Sequence, residues 1–138
     1  MKKVLLFLTI GMMLISACKS SKGTSGNFNR KSSSVTTVST DKTYGYTQEN
    51  PIKVGGTESG PANERKYLDA LAGPNGESIS YVRVGSCCPF NTPNGLMGGG
   101  MLDRYEIKWS GQAAPVYLYL NMYDKDELKA PVGFTIKK

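Results

Sequence analysis

The sequence predicts an α+β domain in which one helix packs on a mainly antiparallel sheet of four or five strands. Three observations carry that expectation. Two stretches, residues 102–110 and 115–123, alternate apolar and polar side chains with the period of a strand, while a single stretch, residues 60–72, has the period of a helix. Gly, Pro and Asn cluster between them, where turns are needed. The prediction concerns residues 44–138 of the 138, one small domain of ordinary size.

The first strand is expected within residues 50–56 (NPIKVGG). Pro51 can open a strand, Ile52 and Val54 share a face, and Gly55-Gly56 ends it. The helix follows. Ser59 or Gly60 suits its N-cap, Pro61 its first position and Glu64 its first turn, and Gly73 before Pro74 suits its end. Tyr67, Leu68 and Leu71 form its apolar stripe, opposite Asn63, Arg65, Lys66 and Asp69.

After the turn Pro74-Asn75-Gly76, residues 79–84 (ISYVRV) are β-prone. In residues 102–110, Tyr105, Ile107 and Trp109 alternate with Arg104, Glu106 and Lys108. In residues 115–123, Val116, Leu118, Leu120 and Met122 oppose Tyr117, Tyr119, Asn121 and Tyr123. With Ser110-Gly111-Gln112 between them, these two form a hairpin. Residues 124–129 are a connection, and Val132, Phe134 and Ile136 mark a final strand.

The N-terminal part follows different rules. Basic Lys2 and Lys3 precede 14 mostly apolar residues, 4–17. This run is shorter than the roughly 20 residues that span a bilayer and matches a secretory signal. Leu14-Ile15-Ser16-Ala17-Cys18 resembles a bacterial lipobox. The resemblance implies that residues 1–17 are a lipoprotein signal peptide and that Cys18 becomes the acylated first residue of the mature chain, fixed to the membrane by thioether-linked diacylglycerol and an amide-linked, palmitate-type chain. An ordinary signal peptide with an incidental cysteine is the alternative. In residues 19–43, 14 of 25 are Ser, Thr or Gly. Residues 18–43 therefore read as a lipidated cysteine and flexible tether. No acidic cluster follows Cys18, which points to an outer-membrane anchor facing the periplasm.

Charge divides along the same lines. The net +6 is contributed by residues 1–43, whereas residues 44–138 hold ten Lys or Arg and ten Asp or Glu. The folded part thus has no excess of basic residues for nucleic acid. With no histidine in the chain, Ser-His-Asp and Cys-His catalysis and histidine-ligated metal sites are excluded. No metal or other cofactor is expected.

Residues 85–100 (GSCCPFNTPNGLMGGG) read as a long Gly- and Pro-rich loop. The segment lacks the Gly-Lys-Ser/Thr ending of a phosphate loop and the Gly-x-Ser-x-Gly elbow of a hydrolase. Cys87 and Cys88 admit four readings: a vicinal disulfide, two buried thiols, bonds to another chain, or a reactive thiol pair. An exported protein favours oxidation. Asp103 and Glu106 lie in a charged strand and Asp124, Asp126 and Glu127 in a polar turn, so the carboxylates read as solvated and no catalytic residue is assigned. Tyr117, Tyr119 and Tyr123 share a strand face that is either an aromatic binding surface or a layer beneath the helix.

The stretches YGYTQENPIKVGG, GPANERKYLDALAGPNGE, ISYVRVGSCCPFNTPNG and APVYLYLNMYDKDELKAPVGFTI together resemble short Bacteroidota-type envelope lipoproteins of unestablished function. Members often carry the label of a 2-dehydro-3-deoxyphosphooctonate aldolase. That enzyme is a (β/α)₈ barrel of about 250 residues acting on cytosolic phosphorylated substrates, so the label reads as a mis-transfer. The function expected of this chain is that of a lipid-anchored, non-enzymatic binding or assembly module for an envelope protein or glycan. The alternative is a thiol-dependent enzyme using Cys87 and Cys88.

Overall fold

The computed structural model describes residues 34–56 and 59–138. The expected signal peptide, the acylated Cys18 and the tether as far as residue 33 lie outside the described residues. In chain order the elements are β1 (Thr37–Val38), β2 (Ile52–Lys53), α1 (Gly60–Asp69), β3 (Leu71–Ala72), β4 (Ile79–Asn91), β5 (Gly99–Trp109), β6 (Val116–Asn121), β7 (Lys129–Ala130) and β8 (Thr135–Ile136).

The architecture is α+β. A four-stranded sheet runs β2-β6-β5-β4, flanked by the two-stranded pairs β1-β7 and β3-β8. The sheet is mixed: β4-β5 and β5-β6 are antiparallel, as their short connections require, but β2 joins β6 in parallel. A parallel neighbour needs a long crossover. Here it runs through α1, β3, β4 and β5, so only non-local pairing sets the direction of β2.

One sheet face meets α1. Tyr105, Ile107, Leu118 and Leu120 are buried with Ile52, Tyr67 and Leu68, and Trp109 packs edge-on against Phe134, ring centroids 5.3 Å apart. The helix is shorter than its apolar stripe. It ends at Asp69, and Leu71, expected in the last turn, is instead buried in β3 beside Ile136. Satisfying the backbone of Leu71 and Ala72 through β8 replaces the helix's last turn without exposing the stripe.

Two further expectations are corrected. Residues 34–43 do not belong to the tether: Val35 joins the core, β1 pairs with β7, and the buried Ser39 donates its N–H to the Ala130 carbonyl at 2.8 Å. Residues 85–100 are not a structureless loop. β4 continues to Asn91 and β5 begins at Gly99, with only a short turn containing the 3₁₀ segment Leu96–Gly98 between them. Gly95 permits this turn, since a Cβ there would lie 1.8 Å from the Gly99 carbonyl oxygen.

Candidate functional site

Three features are candidate sites: an acidic cluster inside the core, the sheet face away from the helix, and the end of the β4-β5 hairpin.

The acidic cluster arises from the register of β4 and β5. Arg83 stands opposite Tyr105 and Ser86 opposite Asp103, three residues against two, because the ladder shifts between Arg83 and Gly85. Strict alternation would put Arg83 and Ser86 on opposite faces; the bulge at Val84 puts them on the same one. Arg83 therefore forks onto Asp103, Nε to Oδ2 at 2.5 Å and Nη2 to Oδ1 at 2.7 Å, and Ser86 donates its hydroxyl to Oδ1 at 2.9 Å. Asp103 is buried while the Arg83 side chain remains half-exposed.

From α1, Glu64 enters the same cluster, fully buried. Tyr105 donates its hydroxyl to Glu64 Oε2 at 2.9 Å, and Oε1 has no hydrogen-bond partner among the described residues. Burial, and then the Asp103 charge, push the Glu64 carboxyl up to about 7, with the Tyr105 hydrogen bond opposing. The reading of Asp103 as solvated is thereby corrected, as is the placing of Glu64 in the first turn, which holds no acidic residue. Both sit in phase with apolar neighbours that need burial: Glu64 with Tyr67 and Leu68, Asp103 with Tyr105 and Ile107.

The outer face carries the tyrosines. Tyr117 stands opposite Glu106 and Tyr119 opposite Arg104, on the face away from Tyr105 and the helix. Of the two readings open for this face, a layer beneath α1 is ruled out for Tyr117 and Tyr119. Tyr117 is 42% exposed. Its ring lies 5.3 Å from the Arg104 guanidinium carbon, and its hydroxyl donates to Glu106 Oε2 at 2.9 Å, where Lys108 meets the other carboxylate oxygen at 2.5 Å. Cation–π and hydrogen-bond contacts thus hold one ring in a defined orientation.

Tyr123 is displaced from this row. β6 ends at Asn121, whose buried side-chain oxygen accepts the N–H groups of Tyr123 and Asp124 at 2.8 and 3.0 Å. Tyr123 then packs edge-on against Phe90, centroids 5.9 Å apart. A Cβ on Gly100 would meet both rings at 3.0 Å, so a glycine lets them close over β5. An open depression of about 490 Å³, lined by residues 89–91, residues 99–101 and Tyr123, lies beside them. Asp124 secures this end of the hairpin by accepting from Thr92, Asn94 and Asn121 at 2.6 to 2.9 Å.

Cys87 and Cys88 adjoin the same depression through Pro89. Their sulfurs are bonded to each other, and Cys88 occupies the second bulge of β4 with a left-handed φ of 59°. Sulfur bonded in this way offers no thiolate until it is reduced. No family model matches the chain, and neither a curated protein nor a solved structure matches it.

Proposed function

We propose that this chain is a lipid-anchored protein of the bacterial cell envelope whose single domain is a non-enzymatic binding or assembly module for a protein or glycan partner. Its anchor is the acylated Cys18 of the lipobox-like LISAC sequence, on the periplasmic side of the outer membrane. The observation that supports binding is a set of fixed aromatic rings: on the outer sheet face the half-exposed Tyr117 is held by Arg104 and Glu106, and at the end of the β4-β5 hairpin Phe90 and Tyr123 border an open depression. Aromatic rings already fixed in place bind sugars or side chains with little further loss of conformational entropy. Neither Glu64 nor Asp103 lines that depression.

A barrel aldolase needs about eight strand-helix units. The described residues have one α-helix and a four-stranded sheet, which supports setting the aldolase label aside.

A photoreactive residue at position 117 or 123 in intact cells tests the reading, with exposed Lys66 on α1 as the control position. Adducts of one defined mass from 117 and 123 but not from 66 support a protein partner. Retention on immobilised envelope glycans, lost in Tyr117→Ala or Tyr123→Ala, supports a glycan. Labelling equal at all three positions, with no glycan retention, overturns the proposal. Detergent partitioning lost in Cys18→Ser tests the anchor separately.

A further inference from the structure

We propose that Glu64 and Asp103 share one proton, carried by Glu64 and donated to Asp103, and that this proton latches α1 onto the sheet so that the helix loosens in alkaline medium. The inference rests on the buried cluster and is independent of the binding face. Both carboxyl groups are buried, 0% and 1% exposed, and the cluster contains one cation, Arg83. Two carboxylates and one guanidinium leave a net negative charge inside the core, whereas one proton makes the cluster neutral.

The hydrogen bonds locate that proton. Asp103 is engaged by Arg83 and Ser86 in the manner of a carboxylate, through both oxygens. On Glu64, Oε2 accepts from Tyr105, and among the described residues Oε1 is the buried atom left without a partner, while Asp103 acts on the same carboxyl group. A proton on Oε1 converts an orphaned acceptor into a donor and removes the repulsion between the two acids.

The surroundings of the pair come from four elements. α1 contributes Glu64 itself and, farther along, the exposed Asp69, which accepts from Tyr81 at 2.7 Å. β5 contributes Asp103 and Tyr105, and β4 contributes Arg83, Ser86 and Tyr81, whose ring meets Tyr105 edge-on at 6.0 Å. Opposite Tyr105 and Asp103, β6 presents Leu118 and Leu120, which carry no charge. Burial and the Asp103 charge together raise the pKa of the Glu64 carboxyl to about 7, against the Tyr105 hydrogen bond and the Arg83 charge. Because it exceeds the ordinary 4.5, the stabilisation is complete below about pH 4.5 and is lost as pH rises through about 7.

Two measurements on the full chain in detergent test the latch. Carboxyl ¹³C NMR should show Glu64 titrating near pH 7, and hydrogen-exchange protection in α1 should fall roughly fifty- to hundredfold between about pH 5 and 8, with β5 protected throughout. Glu64→Gln, whose amide donates at every pH, should remove that pH dependence. A Glu64 midpoint at or below about 5, or a change in α1 protection under about threefold, overturns the proposal. If the variant fails to fold, the titration of the unaltered chain decides alone.

Discussion

Tyr105 donates its phenolic hydrogen to Glu64 Oε2 across 2.9 Å inside the core, joining the central strand to the only α-helix among the described residues. Through Asp103, Arg83 and Ser86 the same cluster reaches the edge strand β4. Polar groups thereby tie three elements together in a region otherwise packed by apolar side chains.

Tyr105→Phe removes the donor and leaves a buried carboxyl oxygen unserved. The loss should be about 1–3 kcal/mol in urea unfolding at mildly acidic pH. Glu64 should also titrate higher in this variant, since the Tyr105 hydrogen bond is what lowers it.

Arg83→Met should destabilise more than Asp103→Asn. The first strands a buried carboxylate and should cost about 2–4 kcal/mol. The second leaves a half-exposed guanidinium that water can serve, for about 1 kcal/mol. A reversed order of unfolding midpoints would show that Arg83, not Asp103, is the costlier group to leave alone.

Gly95→Ala should damage the β4-β5 turn, because the added Cβ meets backbone, the Gly99 carbonyl, which cannot rotate away. We expect a loss of roughly 2–3 kcal/mol. Gly76→Ala is a useful contrast: its positive φ of 86° strains the new residue, yet nothing lies within 4 Å of the Cβ. Its loss should be about 1 kcal/mol.

Cys87 and Cys88 should be oxidised to each other in protein prepared from the envelope. Intact mass of a Cys18→Ser chain should rise by about two units on reduction, with no thiol alkylated beforehand. Replacing both by Ala should lower stability by about 1 kcal/mol and leave partner binding in place. Two free thiols in fresh material would contradict the disulfide, and selective loss of a thiol-dependent activity in a folded double variant would favour the enzymatic reading.

Deleting residues 34–43 should cost roughly 2–4 kcal/mol, from loss of the buried Val35 and of the β1-β7 pairing. Limited proteolysis should accordingly stop before Ser34 rather than near Tyr44. Unchanged stability of the deletion would return this segment to the tether.

The central hairpin was legible because its signals are local. Alternation of Tyr105, Ile107 and Trp109, and of Leu118 and Leu120, identifies both strands and their inner faces, and Gly111 marks their turn with a positive φ of 82°. Tyr67 and Leu68 likewise identify the buried side of α1. Glu64 and Asp103 carried a usable signal that a polar-means-solvated reading discards: each occupies an apolar phase of its element, Glu64 three and four residues before Tyr67 and Leu68, Asp103 two before Tyr105.

By itself, then, the sequence determined the periods, the turns and hence the α+β class, because each follows from neighbours along the chain. Tertiary structure alone decided the parallel placing of β2 against β6, the pairing of β1 with β7 some 92 positions away, and the end of α1 where β8 takes over its backbone. It also decided that Arg83 and Ser86 share a face, since a bulge is defined only against a partner strand. Burial of Glu64 and Asp103 depends on that same partner strand. A buried carboxyl group has to find a cation or hydrogen-bond donors, and here Arg83 and Ser86 come from β4 and the Tyr105 hydroxyl from β5, brought against Asp103 and against Glu64 of α1 only when the chain folds.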